Sequence, residues 1–131
     1  MKLEISGNID TKTKENIKQL APQILSELGV KRSNLHLEVV FLTPDEIQKI
    51  NCKHRNINKP TDVLSFPQAQ FPVTVSSIGT IFICPEVAID EKIEITELLK
   101  HGLLHLLGFD HESKQEEWAE KAKTINHNMG L

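Results

Sequence analysis

The sequence lacks the marks of several large protein classes. No apolar run approaches the roughly 18 residues of a membrane-spanning helix. The first ten residues, MKLEISGNID, contain no apolar h-region, so no signal peptide is expected. There are only two cysteines, Cys52 and Cys84, far apart and outside any CxxC pattern. That excludes a disulfide-rich scaffold; with no sign of export, both are expected as reduced thiols, and the expected setting is the cytoplasm. A preponderance of one charge is missing as well. Fifteen Lys+Arg against eighteen Asp+Glu give −3, which does not announce a nucleic-acid binder. No internal repeat or low-complexity tract is present. What is left is a chain of 131 residues, 39% hydrophobic, long enough for a real core and expected to form one domain over residues 1–131.

The near-neutral total hides an asymmetry. Residues 1–70 carry 10 Lys+Arg against 8 Asp+Glu, a net +2, whereas residues 71–131 carry 5 against 10, a net −5. The densest basic run is Lys53-His54-Arg55, with Lys59 close behind. A phosphate-bearing substrate is expected to dock there through local rather than global steering.

Hydrophobic periodicity and turn residues divide the chain. Leu3 and Ile5 alternate in a short first strand. Asp10 or Thr11 caps a helix to about Leu28, whose apolar residues Ile17, Leu20, Ala21, Ile24, Leu25 and Leu28 share one face; Gly29 ends it. Pro22 predicts a kink there or a split into two shorter helices. Leu35 to Leu42 alternates as a strand, with Leu37, Val39 and Phe41 on one face. Thr43-Pro44-Asp45-Glu46 has the form of a capping box with proline at the first helical position, and this helix is expected to fade near Cys52. Residues 53–61 read as a polar loop, Asp62 to Phe66 as a short strand, 67–77 as an exposed loop and Ile78 to Cys84 as another strand. Pro85-Glu86 starts a helical turn. A leucine-rich helix spans about Thr96 to Leu107, and a last helix follows a second capping box at Ser113 and Glu116. The order β-α-β-α-β-β-α-α(-α) has two strands adjacent in sequence, so the helices cannot all be crossovers of one parallel sheet. The expected fold is α+β: a mixed sheet of about four strands with helices packed on it and the leucine-rich helix central.

That helix carries the chemistry. The stretch HGLLHLLGFDH, His101 to His111, holds three of the chain's six histidines. His101 and His105 are four apart, so both imidazoles lie on one helical face. Gly108 lets the helix stop and the chain reverse, which makes His111 a candidate third ligand. Three neutral imidazoles with an open fourth position suit a catalytic zinc, the free position taking water or substrate. A single histidine is more often a surface residue than a ligand, and pairs at this spacing arise by chance. Three across a glycine, among leucines that make an unpaired imidazole costly, favour the metal. Asp110 and Glu112 flank the last histidine as candidates to orient an imidazole or act as a base. His36, His54 and His127 stand alone and receive no metal role. The spacing also resembles HExxHxxGxxH of zinc peptidases, but Gly102 stands where those enzymes have the glutamate base, which argues against peptidase chemistry.

HGLLHLLGFDH resembles the signature of the YbeY family, bacterial metal-dependent endoribonucleases also described as ribosomal RNA maturation factors. A second segment agrees: Arg55, then Lys59-Pro60-Thr61-Asp62-Val63-Leu64-Ser65-Phe66-Pro67, similar to the family's PT-[DN]-VLSFP after an arginine. The resemblance extends over nearly the whole chain. It implies one zinc ion on His101, His105 and His111, and a part for Arg55 in RNA cleavage. It further implies ribosomal RNA or the small ribosomal subunit as partner, with no membrane. The family commonly has Gly-Asp where this chain has Gly79-Thr80, so any role of that aspartate is in question here.

From the residues themselves, the Arg55 guanidinium can pair two phosphate oxygens at any working pH, though a solvated loop arginine is the commoner case. Lys59 is a second candidate phosphate contact. Asp62 could cap, bind the loop backbone or act as a base, capping being the commonest of these, and Ser65 is no nucleophile candidate, since no base is placed for it by sequence. The expected function is a zinc-dependent, single-strand-directed endoribonuclease in ribosomal RNA maturation. The alternatives are a metallohydrolase of another class, acting on peptides or small molecules, and a non-catalytic ribosome-associated protein whose zinc is structural.

Overall fold

The computed structural model describes residues 2–29, 35–67 and 76–107. Among the described residues, four strands and four helices follow in the order β1 (Lys2–Gly7), α1 (Thr11–Glu27), β2 (Leu35–Phe41), α2 (Pro44–Arg55), β3 (Val63–Pro67), β4 (Ser76–Ile83), α3 (Pro85–Asp90) and α4 (Ile95–Leu106). The strands form one sheet in the order β1-β2-β4-β3. β1 with β2 and β2 with β4 are parallel, whereas β3 pairs antiparallel with β4. The α+β class and the mixed four-stranded sheet are as the sequence predicts.

Strand alternation sorts the side chains into two faces. On one, Leu37, Val39, Phe41, Ile81 and Ile83 meet Ile17, Ala21, Ile24 and Leu25 of α1 and Leu98, Leu99, Leu103 and Leu104 of α4 in the main core. On the other, α2 lays Ile47 over Leu64 and Cys84, with Phe66, Phe82 and Ile50 packed around them. α1 and α4 therefore cover one side of the sheet and α2 the other. Among the described strands β3 stands at the edge, between α4 and α2. No helix of the described residues is long and apolar enough to cross a membrane.

Local signals place the helices. Asp10 accepts from the Thr13 backbone N–H at 3.2 Å as the cap of α1. Pro22 does not divide α1 into two helices, in contrast to one of the sequence expectations. Its ring is exposed, while Ala21, Ile24 and Leu25 on either side of it are anchored in the core. At α2 the capping box forms in full: Glu46 N–H donates to the Thr43 hydroxyl at 3.3 Å, and Thr43 N–H donates to the Glu46 carboxylate at 3.0 Å. That backbone N–H is the main reason the Glu46 carboxyl sits below its ordinary pKa.

α2 also runs further than the sequence suggests. The expected loop from Lys53 is helix up to Arg55, closed by Asn56 in the left-handed region at φ 59°. No apolar periodicity marks this last turn. Lys53 and Arg55 complement the negative end of the helix dipole, and the His54 ring packs on Phe66, which lies on β3.

Candidate functional site

Two glycines bring the sheet and α4 together. At Gly102 a Cβ would stand 2.9 Å from Ile81 Cδ1 and 3.0 Å from its Cγ2, so only glycine lets α4 approach β4 this closely. At Gly79, φ is +139° and a Cβ would run into the Phe66 carbonyl of β3. The residue after His101 therefore faces the packed sheet, a place where a glutamate base would be buried in apolar surroundings.

α4 is buried around most of its circumference: Leu98, Leu99, Lys100, Gly102, Leu103, Leu104 and Leu106 are all inside. His101 and His105 are exposed, one turn apart on the same stripe. Both line a cleft of about 550 Å³ that runs along β3, and Arg55 at the end of α2 lines it too. Two segments far apart in sequence thus supply its two walls. The cleft floor is the edge strand. The Cys84 N–H donates to the Asp62 carbonyl at 2.9 Å, and this sets the phase of the antiparallel ladder. Leu64 and Phe66 turn their backbone polar groups toward β4, so those of Val63 and Ser65 point away from it. The Ser65 side chain lies on the Ile81 side of the sheet, the α4 side.

The loop from α2 to β3 is tied to α2, which fixes Arg55 relative to the cleft floor. Buried Asn51 donates its Nδ2 to the Lys59 carbonyl at 3.0 Å, and Gln48 donates to Asn58 Oδ1 at 3.0 Å. Lys59 itself is exposed and is not among the described residues that line the cleft; its carbonyl has a structural use. Asp62 is not a helix cap. Its carboxylate accepts from the Thr61 hydroxyl at 3.4 Å and stands close enough to Glu91 to push that carboxyl above its ordinary pKa, chiefly by charge repulsion. Thr80 is on the opposite face of the sheet from α4 and donates to Glu38 Oε1 at 3.1 Å.

The arrangement brings a permanent cation, Arg55, and two exposed imidazoles to one cleft, a setting for an anionic substrate. His111, Asp110 and Glu112 lie outside the described residues. Among the described residues no three His, Cys, Asp or Glu side chains converge as a metal site, so a third ligand would have to come from outside them. The donor chemistry of the visible pair fits zinc: two exposed imidazoles at helical spacing, held by a rigid buried helix. Cys52 is exposed on α2 and Cys84 is buried in the α2-side cluster; both are free thiols, and neither is among the described residues lining the cleft.

Sequence reasoning missed two features. Ser65, set aside for want of a base, shares the cleft with both imidazoles. His54, read as solitary, has its ring centroid 5.0 Å from that of Phe66, another cleft residue. Neither has a linear signal, because the partners meet only through the β3–α4 and α2–β3 packing.

Comparison with known proteins agrees with the motifs. The family described as Endoribonuclease YbeY matches residues 3–129. A relative from Sulfurimonas denitrificans, named Endoribonuclease YbeY, is 36% identical over 118 residues, covering 83% of each chain. One of the same name from Thermoanaerobacter is 33% identical over 140 aligned positions, covering 88% of each. Among solved structures, the solution structure of TM1509 from Thermotoga maritima superposes with a TM-score of 0.56 at 27% identity, covering 97% of this chain and 91% of that one. The chain belongs to the YbeY endoribonuclease family.

Proposed function

We propose that this protein is a zinc-dependent endoribonuclease that cuts single-stranded or loosely structured RNA during ribosomal RNA maturation, with the small ribosomal subunit as its setting. The observation that carries the reading is that Arg55 and the exposed imidazoles of His101 and His105, from opposite sides of the sheet, line one cleft. The family name of the relatives supplies the reaction class.

In this reading Arg55 grips two non-bridging oxygens of the scissile phosphate through its planar fork. The same charge stabilises the extra negative charge that the phosphoryl group gathers on attack. His101 and His105, with His111, are the residues that would hold the ion. A zinc ion held there would supply Lewis-acid polarisation of a phosphoryl oxygen. Ser65 offers its hydroxyl and its outward backbone N–H along the floor as donors to phosphate oxygens. The cleft lies along a sheet edge and is open, which suits a strand without a complement. The proposed cellular setting is the cytoplasm, whose reducing conditions match two free thiols.

The test is cleavage of single-stranded and duplex RNA by the purified protein, with and without chelator, beside Arg55→Ala. We expect loss of cleavage with chelator and a drop of roughly 10²–10³-fold for Arg55→Ala, the scale of removing one donor to transition-state charge. Cleavage indifferent to both changes overturns the reading.

A further inference from the structure

We propose that His54 and Phe66 form a nucleobase subsite at the rim of the cleft, where the base of a nucleotide next to the Arg55-held phosphate stacks. The inference rests on the RNA-cleaving reading above and adds to it a residue pair that selects unpaired RNA.

Three observations support it. First, His54 is the neighbour of Arg55 on the last turn of α2, and both are exposed. Consecutive helical residues point about 100° apart, so Arg55 lines the cleft while the His54 ring turns to Phe66 at its rim, and a nucleotide likewise holds its base away from its phosphate. Second, the His54 ring is not a loose surface side chain. Its centroid is 5.0 Å from that of Phe66 with the planes at 58°, and Phe66 meets Phe82 edge-on at 5.6 Å and 72°. Phe66 and Phe82 are half-buried against the α2-side cluster, and the exposed His54 ring continues this chain of ring contacts to the surface. The His54 ring rests on Phe66, which Phe82 backs in turn, so less side-chain freedom is left to lose when a base settles on it. Third, Phe66 lines the cleft together with Arg55, which joins these rings to the phosphate-binding wall.

Stacking is the chemistry such rings offer. Every base has a π-face, so the contact tolerates sequence, but the base must be free of its own stack. A duplex cannot present one without unpairing it. The ring pair would therefore favour single-stranded RNA by recognition rather than by exclusion.

The test uses a short single-stranded oligoribonucleotide with one cut site, and the same oligonucleotide with a single abasic residue placed in turn on either side of the cut. KM and kcat are measured for the wild type, His54→Ala, His54→Phe and Phe66→Leu, with thermal unfolding of each as a check on folding. We expect one abasic position to raise the wild-type KM about 5- to 100-fold, the scale of losing one base–aromatic stack. His54→Ala should raise KM for the intact RNA by a similar factor, yet lose nothing further on the abasic substrate. His54→Phe should recover most of the loss, because a ring is restored without an imidazole. Phe66→Leu keeps apolar volume in the cluster and should reproduce the His54→Ala pattern in weaker form.

The proposal is overturned if no abasic position matters to the wild type, or if the abasic and His54→Ala losses multiply independently. Absence of cleavage by the wild type would count against the catalytic reading alone. The same cycle is then read by equilibrium binding of the oligonucleotides, where loss of coupling counts against the subsite.

Discussion

Replacing Gly102 by alanine tests whether the close approach of α4 to the sheet sets the cleft. In an ordinary helix interior the change stabilises, since alanine is better than glycine by roughly 1 kcal/mol. Here the new Cβ would meet three atoms of Ile81: Cδ1 at 2.9 Å, Cγ2 at 3.0 Å and Cγ1 at 3.2 Å. All belong to a side chain that is fully buried, with no solvent into which to swing. Overpacking of this kind costs about 1–3 kcal/mol. The difference leaves a destabilisation of about 0–2 kcal/mol. The decisive form is a double-mutant cycle with Ile81→Val, which removes Cδ1, the atom in closest contact. Alone, Ile81→Val should cost about 0.5–1.5 kcal/mol. If the clash is real, the smaller side chain relieves the closest of the three contacts. The double variant is then more stable than the two single effects predict, by about 0.5 kcal/mol or more. Urea denaturation of the four proteins measures this. RNA cleavage by Gly102→Ala should fall by more than its stability does, because His101 is the adjacent residue and moves with the helix. Additive effects, or a Gly102→Ala protein more stable than wild type, would refute the reasoning.

Two further outcomes follow from the same geometry. Asn51→Ala removes the donor that holds the Lys59 carbonyl and should cost about 1–2 kcal/mol by chemical denaturation. Asn51→Asp sets a carboxylate against that carbonyl and should cost more; an equal or milder effect contradicts the assigned bond. For the Asp62–Glu91 pair, the raised carboxyl pKa of Glu91 means that the folded chain holds that proton more tightly than the unfolded chain. The contribution to stability is therefore present below the ordinary value of 4.5 and lost as pH rises through the folded value. Glu91→Gln should raise Tm modestly at neutral pH, with the gain shrinking in high salt and disappearing below about pH 4, since the group is exposed and screened. A gain that grows on acidification contradicts the sign.

How much was legible in the sequence depended on how local the cause is. The capping box at Thr43 and Glu46 is written in four consecutive residues and forms as read. The burial of Leu37, Val39 and Phe41 follows from alternation alone. The two histidines of α4 share a face because helical spacing requires it. What escaped was tertiary. The last turn of α2 has no apolar stripe and is held partly by His54 on Phe66, a ring on another element. Reading it as loop put Arg55 outside α2, whereas it stands at the end of a capped helix. Gly102 looked informative only as the absence of a glutamate; its positive use, contact with Ile81, needs the helix placed on the sheet. Ser65 had no base within its own stretch, and shares a cleft with two imidazoles only because α4 packs on β3. The sheet order likewise puts β4 between β2 and β3, a pairing that no local pattern states.

The central claim is that the exposed imidazoles of α4 hold a metal ion opposite Arg55. Its most direct test is the metal content of untagged protein by elemental analysis, wild type beside His105→Ala prepared in parallel. The account predicts about one zinc per chain in the wild type and a loss of most of it in the variant, with both proteins folded by circular dichroism. Equal metal in the two proteins, or none in the wild type after purification in zinc-containing buffer, would contradict it.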